Sequence, residues 1–162
     1  MRLIAVFGMA FALVSAGCGY FYDQIGETKR IPYPVPETFP AEIEGQFYRV
    51  WMGNELQIKS GIHTAYILLQ GVNNPDRGDT IEAKAIEQLR SLLNHPTIRV
   101  VVHATDQRKR MIGQVYCGET NVNLAMIESG WGQCDGSDFA DSETYQSAQA
   151  QANSNRLGMW AD

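Results

Sequence analysis

The sequence predicts an α+β fold in which a small five-stranded barrel carries three packed helices. Three observations predict it. Short alternating segments separated by tight-turn signals fill residues 46–72. Two β-branched segments follow after one helical pattern. Two further helical patterns then close the chain, with no internal repeat.

The elements follow in order. Gln46–Trp51 alternates and runs into the turn signal Gly53-Asn54. Leu56–Lys59 is a second strand, ended by Ser60-Gly61, and residues 63–72 read as a third. Asn73–Gly78 is loop, and Asp79 is placed to cap a helix over 80–94. Its apolar residues Ile81, Ala85, Leu89 and Leu93 are four apart and share one face. Pro96 stops it. Residues 98–102 form a strand, Asp106–Arg110 a charged turn, and 111–116 the fifth strand. A second helix covers 122–129 with Gly130 as its C-terminal cap, and a third covers 142–156. This order suits a Greek-key barrel of the OB type, with the domain spanning residues 43–162.

The first eighteen residues differ from the rest. Arg2 precedes an almost wholly apolar run from Leu3 to Ala16, which is short for a membrane span. It ends in Ser15-Ala16-Gly17-Cys18. Small residues before a cysteine resemble a bacterial lipobox, in which Cys18 becomes the lipidated first residue. The match is imperfect, because Ser15 stands where leucine is usual. An ordinary signal peptide cut near Ala16 is the other reading. Gly19, not aspartate, follows the cysteine, so the expected location is the outer membrane facing the periplasm. Residues 19–42 read as a tether. Pro32, Pro34, Pro36 and Pro40 favour extended polyproline-like structure. Tyr20, Phe21, Tyr22 and Tyr33 give this tether docking potential, or it is an inert spacer.

The full chain carries 13 basic and 18 acidic residues, a formal charge of -5. Only Arg2 lies before Cys18, so the exported chain has 12 against 18, or -6. That balance counts against strong non-specific nucleic-acid binding. Beyond Cys18 two cysteines remain, Cys117 and Cys134. An exported compartment permits their pairing, which would add about 3 kcal/mol on a chain-entropy model. Free thiols are the alternative.

Several segments together resemble the staphylococcal-nuclease family. They are Tyr145-x-x-Ala148-Gln149-x-x-Ala152 with Leu157-Gly158-Met159-Trp160, and Val122-Asn123-x-x-Met126-Ile127-x-x-Gly130-Trp131. To these add Asp106-x-x-x-Arg110 before Gly113–Tyr116, and Gly71-Val72-Asn73-Asn74-Pro75-Asp76. The resemblance covers residues 45–162 and implies the same OB-type barrel with three helices. Trp160 is expected to close the core behind the last helix.

The resemblance also implies a site. Family members cut phosphodiesters with one calcium ion, which calls for carboxylate ligands, a water-activating carboxylate and arginines. The family's Asp-Gly-Asp-Thr stands here as Met52-Gly53-Asn54-Glu55, and its Asp-x-Pro-Glu as Asn73-Asn74-Pro75-Asp76. The metal-binding aspartates thus fall on Asn54 and Asn73, and the glutamate on the shorter Asp76. One arginine falls on Leu68, and Arg110 keeps the other. Glu55 is the one substitute ligand in reach, but on a strand it points away from Asn54. His63, His95 and His103 lack metal-ligand spacing, and Arg108-Lys109-Arg110 reads as a solvated turn.

The expected function is therefore a lipid-anchored, non-catalytic domain with no metal or other cofactor. It would serve as a structural or interaction module of an envelope assembly such as a secretion or conjugation apparatus. The alternative is an exported nuclease with a remodelled site, and only that reading calls for calcium.

Overall fold

The structure is a computed structural model that describes residues 41–75 and 77–161, with two short strands before them. The chain divides into two units, Met1–Ile31 and Pro32–Asp162. In the first, β1 (Phe21–Tyr22) pairs antiparallel with β2 (Thr28–Lys29). The apolar leader, Cys18, the proline-rich run 31–40 and Asp76 lie outside the described residues.

The second unit holds the barrel. β3 (Glu42–Met52), β4 (Glu55–Ser60) and β5 (His63–Leu69) form an antiparallel meander. After β6 (Val72–Asn73) comes α1 (Asp79–Leu92), then β7 (Ile98–Thr105) and β8 (Met111–Cys117). β3 pairs with β7 over Glu42–Gly45, and β7 pairs with β8. A parallel pairing of Ile67–Leu69 with Met111–Gly113 closes the five strands β3, β4, β5, β7 and β8 into a barrel. β9 (Thr120–Asn121) leads into α2 (Val122–Glu128), β10 (Gln133–Cys134) pairs with β6, and α3 (Ser142–Ser154) precedes a 3-10 turn at Gly158–Trp160.

The core fills from both sides of this arrangement. Leu56, Ile58, Ile67, Ile98, Val100 and Val115 line the barrel. Ala85 and Leu89 of α1, Met126 and Ile127 of α2, and Tyr145 of α3 pack against them. The four-residue spacing in α1 is thus a buried stripe, with Leu93 continuing it past the helix end.

Four expectations need correction. Asp79 does not cap α1; Gly78 holds that position, and Asp79 and Glu82 favour the first turn as charges at the helix's positive end. The third strand ends at Leu69 rather than Val72, because Gly71 turns the chain at φ 75°. A side chain there would press to 2.5 Å from the Phe139 ring, so only glycine fits. Residues 155 and 156 leave α3, with Arg156 in the left-handed region at φ 53°. Met159, not Trp160, plugs the core: it is buried, while Trp160 stays half-buried.

Candidate functional site

The loops that would carry a catalytic site do converge. The β3–β4 turn places Gly53 against Asn74, whose Oδ1 accepts the Gly53 amide at 2.8 Å. A Cβ on Gly53 would stand 2.7 Å from that of Ala85, so this close approach requires glycine. Asn54 donates from Nδ2 to the Val72 carbonyl at 3.0 Å, and its own carbonyl accepts from Leu69 at 2.9 Å. Asn54 is thereby fastened beside Asn73, which is exposed and pairs with Gln133.

The strand register sets the rest. Glu55 pairs across to both Met52 and Leu68. Its side chain leaves the Asn54 side, as alternation requires, and meets Arg110 at 2.6 Å. Arg110 also donates to Asp106 Oδ2 through Nε at 2.7 Å, with Nη2 at 2.7 Å from the same oxygen. Asp106 Oδ1 in turn accepts the amides of Arg108 at 2.9 Å and Arg110 at 2.8 Å. The turn needs Lys109 at φ 63°, which this double acceptance fixes.

One guanidinium is therefore held between two carboxylates. Burial alone would raise the Asp106 pKa, but the Arg110 amide, its guanidinium and the Arg108 amide outweigh it and hold the carboxyl below its ordinary value. Burial likewise works against charge on Arg110, and the two carboxylates outweigh it, so its pKa is raised. These three side chains alone sum to one negative charge, and Arg108 and Lys109 stand on the same turn.

A calcium ion does not fit the described donors. The Glu55 carboxylate is committed to Arg110 and the Asn74 side-chain oxygen to Gly53, and Asn54, whose Nδ2 is bonded to Val72, offers only a neutral Oδ1. Among the described residues no three His, Cys, Asp or Glu groups gather as a metal site. Asp76 lies outside them.

The structure thus brings Asn54, Asn73, Leu68 and Arg110 to one end of the meander. Glu55, Asp106 and Asn74 complete the arrangement. Sequence reasoning saw the Asp106–Arg110 hairpin but not its link to Glu55, 55 residues away. Arg77 is a further residue it missed. Arg77 donates to the Met159 carbonyl at 2.9 Å and lies 4.6 Å from the Trp160 ring centroid, tying the start of α1 to the C-terminal turn.

The expected disulfide is absent, and Cys117 and Cys134 are free thiols. Cys117 ends β8 and accepts the His95 amide at 3.2 Å. Cys134 sits in β10, its own amide bonded to Gln149 at 2.7 Å. Burial, then Asp135, pushes the Cys134 thiol up, which keeps it protonated at neutral pH.

A closed five-stranded barrel with three helices and two loops meeting at one barrel end defines an OB-type α+β domain. A family model described as staphylococcal nuclease homologue matches residues 66–162, and the chain belongs to that family. It is 25% identical over 125 residues to an uncharacterized endonuclease of Escherichia coli O157:H7, covering 75% of this chain and 80% of that one. It is 28% identical over 126 residues to a probable endonuclease of Leptosphaeria maculans, covering 68% of this chain but 40% of that one. It is 23% identical over 107 residues to an uncharacterized endonuclease of Haemophilus influenzae, covering 65% and 58%. The chain therefore spans well under two thirds of the last two relatives.

Proposed function

We propose that this domain is a non-catalytic member of the staphylococcal-nuclease family that serves as an interaction module at the cell envelope. The observation that carries the reading is the double clamp on Arg110. The one arginine kept from the family pattern faces Glu55 and Asp106, not open solvent. A phosphate would have to displace a carboxylate to reach it. Leu68 supplies no second cation, and Asn54 and Asn73 supply no charge for a calcium ion. Lipid on Cys18 would anchor the chain to the periplasmic face of the outer membrane, and the segment 19–42 would set the domain's reach. An envelope assembly such as a secretion or conjugation apparatus is the fitting kind of partner.

The test is calcium-dependent cleavage of single-stranded DNA by the full chain. No cleavage is expected. A variant carrying Asn54→Asp, Asn73→Asp, Leu68→Arg and Glu55→Thr is expected to gain it. Cleavage by the unaltered protein, lost on Arg110→Ala, would overturn the reading. That outcome would instead support a remodelled calcium-dependent phosphodiesterase, which the retention of Arg110 at the barrel end and the names of the relatives favour.

A further inference from the structure

We propose that the outer face of the β3–β4 ribbon is a docking surface for anionic lipid headgroups. This holds whether or not the domain cuts nucleic acid, so it stands or falls separately from the functional reading above. It begins with a register irregularity. β3 slips against β4 between Phe47 and Arg49, and again between Val50 and Met52. Two bulges in one strand leave Tyr48 and Trp51 without cross-strand partners and turn them outward. Tyr48 is 47% exposed and Trp51 42%, high values for aromatic rings on a packed barrel.

Cations gather on these rings. The Arg49 guanidinium lies 4.8 Å from the Trp51 centroid and 5.9 Å from that of Tyr48. The Lys59 ammonium lies 4.2 Å from the Tyr48 centroid. These distances make Tyr48, Arg49, Trp51 and Lys59 one continuous patch. Met52 continues it toward the site and is 39% exposed. At the other end, Ile62 on the β4–β5 turn is 89% exposed.

The composition selects the occupant. Tyrosine and tryptophan with apolar bodies and polar rims suit the boundary between headgroups and acyl chains. Arginine and lysine lay their stems on such rings and present charge to anionic headgroups. The acidic residues nearby have basic partners. Glu55 is ion-paired with Arg110, which Asp106 shares, and Glu42 and Glu44 lie where β3 pairs with β7, Glu42 bonded to Arg99. Met52 and Leu68, one row of the same face, are apolar where the family resemblance places Asp and Arg. That exchange favours an apolar boundary over a polynucleotide.

The experiment uses the full chain mixed with vesicles of phosphatidylglycerol and phosphatidylethanolamine carrying brominated acyl chains, read by tryptophan quenching. Because a leader or lipid would bring any variant to the vesicle, the readout is local to Trp51. Quenching is expected in the unaltered chain and is expected to fall in Trp51→Phe to the level set by half-buried Trp131 and Trp160. Arg49→Glu with Lys59→Glu is expected to need about tenfold more lipid for the same quenching. Both variants change exposed side chains, so their melting temperatures should match the parent; if the charge variant fails to fold, the Trp51→Phe comparison still decides. Equal quenching of parent and Trp51→Phe, or equal response to phosphatidylcholine vesicles, overturns the proposal. Protection of Trp51 by a thymidine oligonucleotide, with no response to vesicles, overturns it in favour of nucleic acid.

Discussion

Glu55 shows how one side chain changes what its neighbours can do. An arginine restored at position 68 would stand directly across from Glu55, so a carboxylate would capture it as it captures Arg110. Single reversions toward the family pattern are therefore expected to be silent, and Leu68→Arg should act only together with Glu55→Thr. Calorimetric titration with inorganic phosphate checks this, and binding by the single Leu68→Arg variant would refute it. The clamp also carries a pH signature. The Asp106 carboxyl is held below its ordinary value of 3.8, so the stability it contributes is present above that value. It is lost as pH falls through the lower, folded-state value. Urea midpoints from neutral to about pH 2 should fall more steeply for the parent than for Asp106→Asn. The positions of Asn54, Asn73 and Leu68 were legible in the sequence, since the first two flank recognisable turns and Leu68 lies a fixed offset before the second, at the end of β5. The partners of Arg110 were not, because a contact between strands 55 residues apart leaves no local trace.

At the scale of elements, local patterns worked where one force dominated. The stripe Ala85–Leu89 in α1 and the cap at Gly130 both came through. At the end of α2, Gly130 at φ 74° donates to Ile127 at 2.9 Å while Trp131 donates to Met126 at 3.0 Å, which closes a Schellman-type end. The two-residue strands β6, β9 and β10 were missed, since ladders that short are set by tertiary pairing rather than by alternation. Asn123 is the clearest element-level surprise. Fully buried in α2, it accepts the Val115 amide at 2.9 Å and donates to the carbonyls of Gly113 and Gln70, both at 3.0 Å. It thereby joins the helix to β8 and to the end of β5. Replacement by alanine would take the side-chain partner from the Val115 amide and the Gln70 carbonyl, while the Gly113 carbonyl keeps the Gln70 amide. A loss of about 2–4 kcal/mol in denaturant unfolding is expected; a loss below about 1 kcal/mol would show that water replaces it.

For the whole molecule, barrel closure and the helical layer converge on the C-terminal turn. Gly158 at φ 55° packs against the end of α2 so tightly that a Cβ would fall 2.3 Å from the Gly130 carbonyl oxygen. The Met159 amide donates to that same oxygen at 2.9 Å, and the Met159 side chain is buried beneath the turn. Gly158→Ala is expected to lower the melting temperature by several degrees, from strain at positive φ and from the clash, and an unchanged melting curve would refute that. The sequence pattern marked this turn but assigned the plug to the larger Trp160. Bulk favoured the tryptophan, whereas the backbone direction after Gly158 decided for the methionine. Placing this buried side chain after the last helix has a consequence for synthesis. The domain cannot complete its interior until residue 159 has left the ribosome, so most of the polypeptide stays threadable while it is being made. A chain stopped at Leu157 should be cleaved readily by protease where the full chain resists, and equal resistance would show that the interior closes without its last piece.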